Sequence, residues 1–176
     1  MANHGCNSII GATLDMKLRA VPALTDNYIW MIDDGHRALV IDPGEASPVE
    51  KVLQQDGLEL VAILVTHRHA DHIAGIKSLR SLLNGPVFGP LNAQADGITH
   101  GVTEGDVVDA CGVKLDVWHT PGHTSDHISY VLHDHKSISA FGAPLLFCGD
   151  TLFSAGCGRI FDGTAPQLFH SLSRFS

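Results

Sequence analysis

The chain has 176 residues, of which 44% are apolar, and its formal net charge is −8 at pH 7. This length and composition predict one globular domain with a sizeable core. The acidic balance argues against a nucleic-acid partner, because a polyanion is bound through clustered Lys and Arg side chains. No apolar stretch reaches the length of a membrane span. We therefore expect a monomer that binds neither nucleic acid nor a membrane.

Four widely separated cysteines occur, none of them in a C-x-x-C pair: Cys6, Cys111, Cys148 and Cys157. This spacing argues against a disulfide scaffold and against a cysteine zinc site, so we expect reduced thiols and a cytoplasmic protein. Residues 1–15 lack the basic start and the apolar core of a secretion signal and show no periodicity. We expect them to form a flexible leader, followed by one domain over residues 16–176.

The first half of that domain alternates short strands with helices. Strands are predicted at 18–24, 27–32, 37–41 and 61–66. A helix is predicted over 48–55, with Ser47 as the N-cap and Glu50 completing a capping box. The apolar residues of 73–83 recur at helical spacing and stop at an Asn-Gly-Pro sequence, which predicts one amphipathic helix.

The second half, residues 86–161, predicts further strands with Gly and Asp turns between them and little helix. A last amphipathic helix is predicted over 166–175, introduced by Thr164 with Gln167 three residues later. Strands in this number, with helices before and after them, predict an α+β four-layer αββα sandwich in which helices flank two packed sheets.

The most informative residues follow the buried strand 61–66. His67 and His69 alternate with Arg68 in an extended segment, so both imidazoles project the same way and can bind one metal ion. Asp71 and His72 fall at the turn into the next helix, where they can reach a second ion. The pattern favours a metal site over a merely polar, solvated loop, because further ligand types recur downstream.

Two such ligands follow later strands. His123 lies in a turn after the strand-like residues 113–118, and Asp150 follows the apolar run 144–147. Each time a strand ends and a loop offers a ligand, which predicts a site at one edge of a sheet. Two ions about 3.5–4 Å apart are a recurring hydrolytic device, so the sequence predicts a hydrolase.

Three motifs match a known family: T-H-x-H-x-D-H at 66–72, P-G-H-T at 121–124 and G-D-T-L-F at 149–153. They resemble the metallo-β-lactamase superfamily. Residues 22–28, 41–44 and 156–163 narrow the resemblance to glyoxalase II, the hydroxyacylglutathione hydrolases. The resemblance runs from residue 17 to the last residue.

The resemblance implies two divalent metal ions, with zinc expected and iron or manganese tolerated. It implies that one metal is held by His67, His69 and His123, the other by Asp71 and His72, and that Asp150 bridges them. Asp71 would also orient the attacking hydroxide, and Arg159 and Phe161 would contact glutathione. The implied reaction is hydrolysis of an S-2-hydroxyacylglutathione, such as S-lactoylglutathione, to glutathione and a 2-hydroxy acid such as D-lactate.

The sequence departs from the family at two points. Phe161 stands where many relatives carry Tyr, and the chain ends before a further histidine ligand of the second metal and before a helical domain that grips glutathione. We therefore expect a sandwich without its last strand, an unpaired sheet edge and an incompletely liganded second site. Two alternatives stay open: a metal-binding fragment with weak or no catalysis, and a persulfide dioxygenase with a single iron. The acidic balance disfavours a nuclease, and His72 disfavours a β-lactamase.

Other reactive side chains have simpler interpretations. Cys157 is predicted to pack in a glycine-rich turn. Asp42 is predicted to fix its Pro-Gly turn and the neighbouring loop rather than to contact a metal. Among the remaining histidines, His119 and His127 are the best candidates for orienting the ligands, because they flank the His123 loop. Six histidines in all are expected at the surface or behind the ligands: His100, His119, His127, His133, His135 and His170.

Overall fold

The computed structural model describes residues 16–93, 95–133 and 143–176, so the expected leader at 1–15 lies outside the described residues. The first sheet has six strands, in which the first three run antiparallel and the others parallel to the third. Their spatial order follows the chain: β1 (Lys17–Ala23), β2 (Asn27–Asp33), β3 (Arg37–Ile41), β4 (Glu59–Leu64), β5 (Val87–Pro90) and β6 (His100–Val102).

The second sheet is antiparallel and has four strands, in the spatial order β10-β9-β8-β7. They are β7 (Val107–Ala110), β8 (Val113–His119), β9 (Ile128–Leu132) and β10 (Leu145–Phe147). Among the described residues β10 is an edge strand, as expected from the sequence. The segment between β9 and β10, which contains His135, falls in the part that the structure does not describe.

Within the described residues four α-helices cover the sheets: α1 (Ser47–Asp56), α2 (Ala70–Ile73), α3 (Ile76–Leu79) and α4 (Ala165–Ser173). Helices α1 and α3 bury apolar side chains against the outer face of the six-stranded sheet. Helix α4 lies on the second sheet, where Phe175, just beyond it, stacks on Trp118 of β8 at 6.5 Å between ring centroids. The predicted αββα sandwich is therefore confirmed.

The core lies between the two sheets and supports the loops that carry the site. Ile32 and Leu39 from the first sheet meet Leu115 and Tyr130 from the second, and all four are fully buried. Each such apolar side chain contributes about 1.5–3 kcal/mol relative to an exposed one. Tyr130 also donates a hydrogen bond to the Val65 carbonyl oxygen at 2.9 Å, which fixes the chain directly after β4.

The single helix predicted over 73–83 is wrong, because the chain forms the short helices α2 and α3 with a break at Gly75. The Gly75 amide donates to the Pro43 carbonyl oxygen at 2.9 Å. A Cβ at Gly75 would lie 2.5 Å from that oxygen, so only glycine permits this approach. Contact with a distant loop thus overrides a regular apolar spacing.

The two predicted helix caps have opposite outcomes. The N-cap of α1 is Ala46, and Ser47 Oγ donates to Glu45 Oε1 at 2.9 Å instead, so the predicted capping box is wrong. The predicted cap of α4 is confirmed, because Thr164 Oγ1 accepts a hydrogen bond from the Gln167 amide at 3.4 Å.

Across residues 16–93, 95–133 and 143–176, no helix is long and apolar enough to cross a bilayer.

Candidate metal centre

Three loops meet at one edge of the sandwich and bring the predicted ligands together. The first follows β4, the second joins β8 to β9, and the third follows β10. A main-chain hydrogen bond from Ile128 to the Thr66 carbonyl oxygen, 3.0 Å long, ties the first loop to the start of β9. The described residues contain three groups of possible metal ligands here: His67 with His69 and His123, Asp42 with His67 and His72, and Asp71 with His72 and Asp150.

The first ligand cluster consists of His67, His69 and His123. His69 Nδ1 lies 3.1 Å from His67 Nε2 and 2.9 Å from His123 Nε2, so three imidazole nitrogens converge on one point. His67 and His123 are buried, which leaves little water to satisfy these nitrogens.

In two of these rings, the hydrogen bond of the other nitrogen, Nδ1, decides which nitrogen carries the proton. His123 Nδ1 lies 2.6 Å from the Arg159 carbonyl oxygen, which can only accept, so His123 carries its proton on Nδ1. Thr66 Oγ1 donates to Asp42 Oδ2 at 2.6 Å and can therefore accept from His67 Nδ1 at 3.1 Å. Both Nε2 atoms then present lone pairs to the same point, which is the arrangement of histidines that bind a metal ion.

Burial favours the neutral form of two of these rings. It lowers the pKa of His67 and of His69, and the neighbouring histidines act in the same direction. Metal ligation requires neutral imidazole, so protons compete little for His67 and His69 near neutral pH.

The second ligand cluster consists of Asp71, His72 and Asp150. His72 Nε2 lies 3.1 Å from Asp150 Oδ1 and 3.4 Å from Asp71 Oδ2. Within the described part of the chain, neither buried nitrogen of His72 forms a hydrogen bond. A buried nitrogen that faces two carboxylate oxygens without a hydrogen bond fits a cation between them.

Asp150 belongs to the second cluster but also faces the first. Its Oδ1 faces His72, while its Oδ2 lies 3.4 Å from His123 Nε2, so one carboxylate extends toward each ligand set. Burial acts to raise the pKa of Asp150, but contact with His72 and the other histidines outweighs this and lowers it. The ionised carboxylate is the form that can bridge two cations.

Residues 24–175 match the family model of the metallo-β-lactamase superfamily. The chain belongs to the metallo-β-lactamase superfamily. Its histidine and aspartate clusters are those typical of the dinuclear metal site of this superfamily. The chain spans about 60% of the length of the curated relatives that it matches.

Named relatives and solved structures agree with this membership. The hydroxyacylglutathione hydrolase of Albidiferax ferrireducens is 49% identical over 89% of this chain and 60% of the relative. ETHE1 from Myxococcus xanthus is 35% identical, with a TM-score of 0.72 over 89% of this chain and 68% of that structure. TTHA1623 in a di-iron-bound form is 26% identical, with the same TM-score of 0.72 over 89% of this chain and 85% of that structure.

The predicted substrate contacts border the first cluster of this metallo-β-lactamase domain. The Phe161 ring lies 4.6 Å from the His69 ring and 5.2 Å from the His123 ring, and it is 60% exposed. The Arg159 side chain is exposed, while its carbonyl oxygen holds His123. Both residues thus lie on the loop that borders the first cluster. Cys157 is exposed on the same loop, so the prediction that it packs in the turn is wrong.

His127 lies directly behind the ligands. Its ring is fully buried and stacks on His67 at 4.8 Å, and its Nε2 accepts a hydrogen bond from the Asp150 amide at 3.2 Å. Burial lowers the pKa of His127 to about 3, so the ring stays neutral and can accept. His119 instead contacts the Ser125 carbonyl oxygen at 3.2 Å. In the described ranges, no ligand group includes His100, His119, His127, His133 or His170.

Sequence reasoning missed two supports of the centre. Asn27 Nδ2 donates to Asp71 Oδ2 at 3.2 Å, although the two residues are 44 positions apart and no spacing signal connects them. Asp42 was expected to fix its Pro-Gly turn and the neighbouring loop, and it does accept a hydrogen bond from the Thr66 amide at 2.7 Å. Its Oδ2 also lies 3.0 Å from His72 Nδ1, so this carboxylate orients a ligand as well.

Proposed function

We propose that this chain carries the centre of a metal-dependent thioester hydrolase that cleaves an S-2-hydroxyacylglutathione, such as S-lactoylglutathione. The products are glutathione and a 2-hydroxy acid such as D-lactate. The observation that carries the proposal is Asp150, whose two oxygens face the two ligand clusters. The 49% identity to a protein named hydroxyacylglutathione hydrolase supports the choice of substrate.

The donor set fits two divalent ions. Imidazole and carboxylate ligands suit zinc, and also iron or manganese. The similarity to TTHA1623 in a di-iron-bound form supports a pair of ions. When bound, such a pair supplies a water molecule whose pKa falls from 15.7 to about 7, which is nucleophilic near neutral pH.

The chain's own residues position the reactants. Asp71, held by Asn27, accepts a hydrogen bond from the attacking water and aims it at the thioester carbonyl. Arg159 attracts a carboxylate of glutathione, and the Phe161 ring lines the path to the first cluster. The thiolate is a good leaving group, so the reaction needs no strong general acid.

The two alternatives make different use of the same centre. A persulfide dioxygenase with a single iron needs one ligand cluster, whereas this chain has a second one around His72. A fragment with weak or no catalysis would bind metal without turnover, and the 60% span of its relatives keeps this alternative open. The number of bound metal ions and the reaction catalysed together distinguish the thioester hydrolase, the dioxygenase and the fragment.

The test uses purified protein loaded in turn with zinc, iron and manganese. Metal ions per chain, S-lactoylglutathione hydrolysis and oxygen uptake with glutathione persulfide are measured on the same material. The proposal expects two ions and thioester hydrolysis. One ion without turnover favours the fragment, and one iron with oxygen uptake favours the dioxygenase.

A matched pair of variants tests the role of Asp71. Asp71→Asn keeps the shape of the side chain but should lower turnover about 100-fold or more and reduce metal content, because both the oriented water and a carboxylate ligand are lost. Asp109→Asn alters an exposed aspartate on β7, which pairs only loosely with Lys114 at 3.7 Å, and should leave turnover unchanged. Equal turnover in the two variants would overturn the role given to Asp71.

A further inference from the structure

Arg68 stands between the ligands His67 and His69 in the chain, and its side chain bonds to two carboxylates. Its Nη1 donates to Asp126 Oδ1 at 2.6 Å, and its Nη2 donates to Asp162 Oδ2. The Arg68 side chain is only 28% exposed and that of Asp126 only 9%. Partial burial strengthens such ion pairs relative to pairs at the open surface.

The two carboxylates belong to different segments of the site. Asp126 lies on the loop that carries His123, between β8 and β9. Asp162 lies on the loop 159–163, and it also accepts hydrogen bonds from the Ser125 amide at 3.0 Å and from Ser125 Oγ at 3.2 Å. Arg68 therefore joins three segments: the first ligand loop, the His123 loop and the loop 159–163.

Two further hydrogen bonds transmit this connection to a metal ligand. The Phe161 amide donates to the His123 carbonyl oxygen at 3.0 Å, and His123 Nδ1 donates to the Arg159 carbonyl oxygen at 2.6 Å. The imidazole of His123 is thus aimed by the main chain of the loop that Arg68 holds through Asp162. A shift of that loop would turn the His123 ring away from His67 and His69.

We propose that Arg68 is a positioning residue that clamps Asp126 and Asp162 together and so sets both the aim of His123 and the place of Arg159 and Phe161. The planar guanidinium suits this role, because its fork of donors can reach two carboxylates at once, which the single ammonium of lysine does less well. The proposal rests on the metal binding of the proposed function, but it does not need thioester hydrolysis.

The chain offers a matched control for the loss of this clamp. Arg19 bridges Asp33 and Asp56 in the same way, and its side chain is 27% exposed, but it lies on β1 away from the ligand loops. Arg68→Met and Arg19→Met therefore each remove an arginine that forms ion pairs with two aspartates. Any general loss of stability should be similar in the two variants.

Two measurements then separate positioning from general stability. The affinity for Zn²⁺, measured by competition with a chelator, should fall about tenfold in Arg68→Met and stay within about twofold in Arg19→Met. In the metal-free protein, hydrogen exchange at the Ser125 and Phe161 amides should accelerate in Arg68→Met alone. Arg68→Lys should recover part of both losses.

Asp162→Asn provides a second variant that should fold normally, because this side chain is 42% exposed. Asp162→Asn should lower the Zn²⁺ affinity and accelerate hydrogen exchange at the Ser125 and Phe161 amides, each by a smaller factor than Arg68→Met. If neither Arg68→Met nor Asp162→Asn changes these readouts beyond the Arg19→Met control, the positioning role is overturned. If the parent protein binds no Zn²⁺, the proposed function fails, whereas exchange in the metal-free protein still decides the role of Arg68.

Discussion

Gly158 packs so closely on the main chain of Asp150 that a Cβ at this position would lie 1.9 Å from the Asp150 carbonyl oxygen. The same Cβ would lie 2.9 Å from His123 Nδ1. The glycine-rich loop that presents Arg159 is therefore seated directly on two of the predicted ligands. This contact explains why a glycine directly precedes Arg159 in the chain.

Gly158→Ala should disturb both ligand clusters at once. The new methyl group must displace the Asp150 main chain or the loop, and such overpacking costs about 1–3 kcal/mol of stability. We expect a lower unfolding midpoint and weaker Zn²⁺ binding, measured by thermal denaturation and chelator competition. Gly156→Ala is the control, because a Cβ there meets nothing within 4 Å. Identical behaviour of the two variants would contradict this account.

His127→Phe should weaken metal binding without removing a ligand. The phenyl ring keeps the stacking on His67 but cannot accept a hydrogen bond from the Asp150 amide, so the Asp150 loop loses this support. Loss of such supporting contacts typically costs about 10–100-fold in metal affinity. His170→Ala, an exposed change on α4, should leave Zn²⁺ affinity as it is. Retained affinity in His127→Phe would show that the Asp150 loop is fixed by other contacts.

Asp42→Asn should reduce metal affinity at His72 and lower stability. Asn tolerates the positive φ of 53° at this position, so the change isolates the carboxylate that accepts from Thr66 and faces His72. Hydrogen bonds to a charged group contribute about 1.5–3 kcal/mol, which sets the expected loss of unfolding free energy. The readouts are denaturant unfolding and the number of Zn²⁺ ions bound per chain.

The control for Asp42→Asn is Asp34→Asn. Asp34 is another buried aspartate, and it accepts the amides of His36 and Arg37 at 3.0 and 2.6 Å, far along the chain from the ligands. It should lose stability but keep both metal ions. A similar loss of metal in the two variants would mean that Asp42 acts only through the fold.

Metal binding at the second cluster should release a proton. Burial acts to lower the pKa of His72, but the carboxylates of Asp42 and Asp150 outweigh it and raise the pKa to about 10. His72 is therefore protonated at neutral pH in the metal-free protein and must lose this proton to bind an ion. Affinity of this cluster should rise about tenfold per pH unit between about pH 7 and 9.

The same shift gives the metal-free protein a defined pH dependence of stability. Because the pKa of His72 is raised on folding, the contribution of His72 to the free energy of unfolding is complete below its ordinary pKa near 6.5. That contribution is lost as pH rises through about 10.

Calorimetric titration of the protein with metal, in buffers of different ionisation enthalpy, counts the protons released on metal binding. His67 should release no proton near neutral pH, because burial lowers its pKa. A pH-independent affinity at the second cluster would contradict the charged state of His72.

Local signals in the sequence predicted much of the fold, and they failed where distant contacts decided the outcome. Alternation of apolar residues located the strands, because one face of each strand is buried whatever its neighbours are. The predicted helix 73–83 failed at Gly75, and the capping box failed at Ser47, because Pro43 and Glu45 offered other partners. Neither partner can be identified from helical spacing.

The sequence by itself determined the kind of chemistry, since His67, His69, Asp71 and His72 are brought together by chain connectivity alone. Only the tertiary structure decided how these four residues approach Asp150, and which hydrogen bonds orient the ligand side chains. Those relationships depend on side chains that are far apart in the chain and meet only when two sheets pack. Loop closure and packing, which leave no periodic trace in a sequence, place them within hydrogen-bond distance.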